Sequence, residues 1–204
     1  MSEKKPNKFG IDAEYLELEV PSTIDDYLTW ISYKERRIIL NDNIDTSTIN
    51  RVSHWINRWN EDDDNNGLEG SSRPEIKLEL TSNGGDVVSG LNVCDVIKNS
   101  KTKVIITTFA CAASMGALIL LSGHERVAYK NSIILIHDGS LQLQGSSRKA
   151  KNTMSFYDKL DERVKNYILS NTKISEELYD SKVDEEWYMF ADEALDLGVI
   201  DRII

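Results

Sequence analysis

The chain has 204 residues, of which 40% are apolar, 28% charged and 3 are proline. That is enough for one domain with a buried core, and it excludes a disordered or collagen-like chain. Acidic residues outnumber basic ones 34 to 24, a formal charge of -10, which repels phosphate backbones and argues against a nucleic-acid partner.

The most apolar stretch, residues 107–122, is too short and too polar to span a bilayer, and the first twenty residues contain no apolar signal core. Neither a membrane nor export is expected. Cys94 and Cys111 lie inside apolar segments and read as buried free thiols of a reducing cytoplasm. No Cys/His spacing suits a metal, so neither metal nor cofactor is expected.

Residues 1–30 are polar and read as an N-terminal arm, in part without fixed structure, ahead of a domain over residues 31–204. Tyr33–Leu40 ends in a short buried-strand pattern. Over Thr46–Asn60, Ile49, Val52, Ile56 and Trp59 fall on one helical stripe, with Asp45, Thr46 or Ser47 as N-cap. The acids, Asn, Gly, Ser and Pro of residues 61–74 predict a solvated loop. Residues 76–82 (IKLELTS) alternate as a strand, and residues 87–100 follow a helical period. Lys103–Phe109 is β-branched and extended, and Ser114–Leu121 is apolar on every side, hence a buried helix. Short strands come next at Arg126–Tyr129 and Ile133–Ile136. A long amphipathic helix spans Ser147–Ser170, short helices fall at 175–179 and 192–197, and a last strand covers 199–204. Alternating strands and helices predict a layered α/β fold with a largely parallel sheet. Residues 61–74 and 138–150 should project from the core.

Three places could carry chemistry. Ser114 sits at a strand-to-helix junction among small residues, Ala112-Ala113-Ser114-Met115-Gly116. It is either a helix cap or a nucleophile at the positive end of a helix dipole. Asn83-Gly84-Gly85 comes after a strand and precedes a helix, either as a plain turn or as exposed N–H groups facing a carbonyl oxygen. His137 ends an apolar strand, where a histidine is either a satisfied edge residue or a general base. His54 and His124 read as surface residues. Asp180, Asp184, Glu185, Glu186, Asp192 and Glu193 form an acidic stretch that is either a solvated face or a source of a carboxylate for His137.

Taken together and in this order, these parts serve acyl transfer. The sequence over about residues 30–204 resembles the ClpP family, the proteolytic subunits of Clp proteases, within the ClpP/crotonase-like fold. Residues 112–123 (AASMGALILLSG) are similar to the family's nucleophile segment almost residue for residue. LTSNGGDVVSG resembles its glycine turn with Asn83 in place of proline, IILIHDGS resembles its histidine strand with Asp138-Gly139 in place of Gln-Pro, and FADEALDLGVIDRII resembles its closing helix and strand.

The resemblance implies a serine endopeptidase acting on unfolded polypeptides or peptides inside homo-oligomeric rings, a heptamer or stacked heptamers, with an AAA+ unfoldase as possible partner. It implies Ser114 as nucleophile, His137 as base, and the N–H groups of Gly85 and Met115 as oxyanion hole. Where the family has a catalytic Asp stands Glu186, with Asp184 as rival. Residues 138–150 and the helix after them resemble the family's handle, a strand plus long helix, here unusually polar. Three other readings share these residues: a catalytically impaired scaffold subunit, a capsid-processing phage protease, and a crotonase-type acyl-CoA enzyme. No GxxxxGK[ST] loop occurs, so ATP dependence would come from a partner.

Overall fold

The computed structural model describes residues 23–139 and 146–204. It divides into two units, residues 1–35 and 36–204. In the first, helix α1 (Ile24–Lys34) occupies part of the expected arm. Thr23 caps it by accepting the Asp26 N–H at 3.1 Å, and Asp25 and Asp26 complement the positive helix end. The rest of the arm, residues 1–22, lies outside the described residues.

The second unit is the layered α/β fold. Its strands are β1 (Arg37–Asn41), β2 (Ile76–Ser82), β3 (Val104–Ala113), β4 (Glu125–Ala128), β5 (Ile133–Ile136), β6 (Trp187–Phe190) and β7 (Arg202–Ile203). The order β1-β2-β3-β4-β7 is parallel throughout. β5 pairs with β3 in parallel and with β6 antiparallel. Helix α2 comprises Thr46–Thr48, a widened turn over Ile49–Ser53 and His54–Asn65. The others are α3 (Val87–Asn99), α4 (Met115–Ser122), α5 (Ser147–Asn171), α6 (Glu176–Lys182) and α7 (Ala191–Asp196).

One irregularity of β3 aims its C-terminal end. Leu80 of β2 faces Thr108, but Ser82 faces Ala112, so β3 carries two extra residues against its neighbour. Such a bulge bends a strand and redirects the residues beyond it. Before it, Ile105–Thr108 pair with β4; after it, Cys111–Ala113 pair with β5. The strand therefore delivers Ser114 to the point where β2 and β5 also end. Behind it lies α4, whose eight residues are all buried. That burial explains a helix apolar on every face.

Several expectations change. Residues 61–74 are a solvated loop only in part: α2 continues to Asn65 and a tight turn spans Gly70–Ser72. The Asp63 side chain is 1% exposed, taking Arg36 Nη1 at 2.8 Å, Arg36 Nη2 at 2.5 Å and the Thr102 hydroxyl at 2.7 Å. Polar composition misled because this carboxylate is buried by pairing. β6 had no counterpart in the sequence reading, β7 is shorter than expected, and α6 is longer. Cys94 is buried but Cys111 only partly so. The His124 ring is tied down, its Nδ1 accepting the Val104 N–H at 3.0 Å. The expected handle strand falls largely on residues 140–145, outside the described ones, whereas α5 is present as a 25-residue helix with only Ile168 buried. Among the described residues no helix is long and apolar enough to cross a membrane.

Candidate active site

Ser114 links β3 to α4 with φ 54 and ψ -121, a conformation that costs a non-glycine residue about 1–3 kcal/mol. Its backbone is over-determined: the N–H donates to Leu135 O at 2.9 Å, and the carbonyl accepts from Ala117 and Leu118 at 3.0 and 3.3 Å. Ser114 stands at the N-cap position of α4, but its side chain makes no capping bond, and the residue lines a cavity.

Gly84 and Gly85 lie against this turn at φ 99 and 149. A β-carbon on Gly84 would sit 2.7 Å from Ser114 Cβ, and one on Gly85 would sit 2.2 Å from the Ile44 carbonyl oxygen. Only glycine permits both the backbone angles and the approach. Ile44 pins the turn from both sides, donating to Gly84 O at 2.9 Å and accepting from the Asp86 N–H at 2.7 Å. Asp86 then caps α3 through the Ser89 N–H at 2.8 Å, and the Ser89 bonds hold its carboxyl below the ordinary range. Nothing in the sequence marked Ile44 as this anchor.

Met115 is the first residue of α4, so its N–H has no intrahelical acceptor. Its side chain is buried against α3, where a β-carbon on Gly90 would come within 2.2 Å of Met115 Cγ. Gly90 thus makes room for the residue that fixes the start of α4.

His137 comes directly after β5, and Glu186 precedes β6. The ladder pairs Ile136 with Trp187, so its next register position sets residue 137 opposite residue 186, where side chains meet. His137 Nδ1 lies 2.9 Å from Glu186 Oε1. The imidazole is 23% exposed and the carboxylate 56%. Asp138 N–H donates to Val183 O at 2.9 Å, securing the far side of the histidine. Asp184 is exposed and lies two residues beyond the register match. Of the other acids, Asp180 pairs with Lys165 and Glu193 accepts the Trp187 indole N–H.

Ser114 and His137 line one cavity of about 210 Å³, whose other walls come from α4, α5 and Tyr179 of α6. Among the described residues no hydrogen bond joins the Ser114 hydroxyl to the imidazole. Such contacts are often loose without substrate. A hydroxyl at a strained turn, an imidazole held through Nδ1 by a carboxylate, and N–H groups at a glycine turn and a helix start are the parts for nucleophilic attack on a carbonyl. Among the described residues no cluster of three or more His, Cys, Asp or Glu is placed to hold a metal.

A profile of the Clp protease family matches residues 23–204. The chain is 35% identical over 142 residues to the ATP-dependent Clp protease proteolytic subunit 3 of Parasynechococcus marenigrum, covering 67% of this chain and 69% of the relative. It is 34% identical over 140 residues to the ATP-dependent Clp protease proteolytic subunit 2 of Prochlorococcus marinus, covering 66% and 67%.

Proposed function

The chain belongs to the Clp protease family, and from that premise we propose that it is a serine endopeptidase using Ser114, His137 and Glu186. The observation that carries the reading is the 2.9 Å contact between His137 Nδ1 and Glu186 Oε1 beside a cavity that Ser114 also lines.

Glu186 accepts the Nδ1–H, which leaves Nε2 unprotonated and turned to substrate. Nε2 takes the Ser114 proton as Oγ attacks a peptide carbonyl. The oxyanion is received by the N–H groups of Gly85 and Met115; one such donor is worth on the order of 10²–10³ in rate. His137 then returns the proton to the leaving amine, and water, activated by the same imidazole, releases the acyl group. Glutamate can replace aspartate here because the chemistry needs only a carboxylate oxygen at Nδ1.

The fold supports a wider reading by family. The chain assembles into rings that enclose the site, with α5 contributing to ring stacking, and admits polypeptides unfolded by a separate AAA+ ATPase in the cytoplasm. Enclosure explains how a weakly selective nucleophile spares folded proteins. The test is turnover of an unstructured peptide by the purified chain against Ser114→Ala. Hydrolysis by the former alone supports the endopeptidase; equal absence of hydrolysis, with assembly intact, favours the scaffold subunit.

A further inference from the structure

The cavity beside Ser114 has an uneven lining. Its walls are apolar over Met115, Leu118, Met154, Leu160 and Val164. Apart from His137, the charged groups facing it are Asp138 and Asp161. Asp138, the chain neighbour of His137, lines the cavity from the end of β5. Asp161 comes from the opposite wall, α5.

Among the described residues neither carboxylate has a cationic partner. Lys165, one helical turn after Asp161, is engaged by Glu176 and Asp180, each at 2.8 Å, with its ammonium 5.9 Å from the Tyr179 ring centroid. Lys159 and Arg163 stand two positions from Asp161 on α5 and so face a different direction. Partial burial and then the charges of Asp138 and Asp158 raise the Asp161 carboxyl above its ordinary value. Tyr179 closes the cavity nearby with its phenol pushed up to about 12, chiefly by burial and next by Asp138, so it remains a neutral wall.

Resting on the endopeptidase reading, we propose that this cavity receives the substrate side chain on the acyl side of the cleaved bond and favours arginine or lysine. An apolar collar backed by two unneutralised carboxylates matches an aliphatic stem carrying a cationic head. A purely aliphatic side chain would fill the collar and leave both acids, which are exposed, to water alone. A glutamate would add a third negative charge.

The test compares kcat/KM for peptides that differ only at that residue: arginine, its neutral isostere citrulline, and glutamate. Stem and volume are shared by the first two, so their ratio isolates charge. Arginine should exceed citrulline by about fivefold, the upper range for an ion pair still reached by water, with glutamate slowest. In Asp161→Asn the ratio should fall, and in the Asp138→Asn/Asp161→Asn double variant it should approach one. Asp161→Lys should favour glutamate over arginine.

A second arm needs no turnover. Fluorescence anisotropy of peptides ending in arginine or citrulline, titrated with Ser114→Ala, should show the same order. Turnover or binding without a preference for arginine, or a preference that persists in the double variant, overturns the inference and leaves the endopeptidase reading intact. Preferential binding by Ser114→Ala with no hydrolysis by the unaltered chain would support the cavity's selectivity while sinking the endopeptidase reading.

Discussion

Replacing Glu186 separates its two contributions, charge and hydrogen bond. At about 4 Å between charge centres, an imidazolium and a carboxylate interact by about 4 kcal/mol at an effective dielectric constant near 20, and by about 1 kcal/mol in bulk water. Glu186 is 56% exposed and His137 23% exposed, so an intermediate value of about 2 kcal/mol is appropriate. Glu186→Gln keeps an acceptor oxygen at Nδ1 but removes the charge that stabilises the imidazolium, so kcat/KM should fall roughly 30-fold. Glu186→Ala also releases the ring, and the loss should reach about 10²–10³. Glu186→Asp withdraws the carboxylate by about one C–C bond, ~1.5 Å, opening the 2.9 Å contact, and should fall between these two. The assay is hydrolysis of a fluorogenic peptide, normalised to the fraction of protein that a fluorophosphonate titrates, with thermal melting as a control for folding. Gln and Ala variants within twofold of the unaltered chain would refute the reasoning and leave Asp184, or no acid, in the role.

Asp63→Asn should destabilise the fold by about 3–5 kcal/mol in urea unfolding, because it strands the Arg36 guanidinium beside a buried site. Burial pushes the Asp63 carboxyl up, but the bonds from Arg36 and Thr102 outweigh it and hold it below 3.8. Its contribution is therefore complete above about pH 4 and lost as pH falls through the lower folded value; the stability gap between the unaltered chain and Asp63→Asn should narrow there, and a pH-independent gap would contradict this. Gly90→Ala should cost about 1–3 kcal/mol by driving a methyl into Met115, and Met115→Ala in the same chain should recover part of it. Strict additivity in thermal melts would show that the two do not touch. Gly84→Ala places a methyl 2.7 Å from Ser114 Cβ at φ 99, so peptide turnover should drop by about 100-fold or more even when compared at equal folded fraction.

Much of the fold was legible because its elements obey simple periods. β2 alternates, α4 is apolar on all sides because it is buried on all sides, and the helical stripe of α2 was visible through Trp59. The end of that helix was not legible. Residues 61–65 carry acids, and no composition rule reveals that Asp63 is taken inward by Arg36, 27 positions earlier, and by Thr102, 39 positions later. β6 was missed because four residues with alternating exposure pair only with β5 at the sheet's margin. That omission bears on the site, since the β5–β6 register is what sets residue 186 opposite residue 137. Ser114 and the glycine turn were local signals, each at a strand-to-helix junction. The cavity was not, because its second wall is α5, brought over from beyond residue 146. Its acids, Asp138 and Asp161, lie far apart along the chain and share no motif.

The most direct measurement is the mass of the chain after exposure to a fluorophosphonate, with the adduct located by peptide mapping. The account predicts one adduct per chain, carried by Ser114, absent in Ser114→Ala and formed far more slowly in His137→Ala. A chain that folds and stays unlabelled, or that is labelled equally well when residue 114 is alanine, would contradict it.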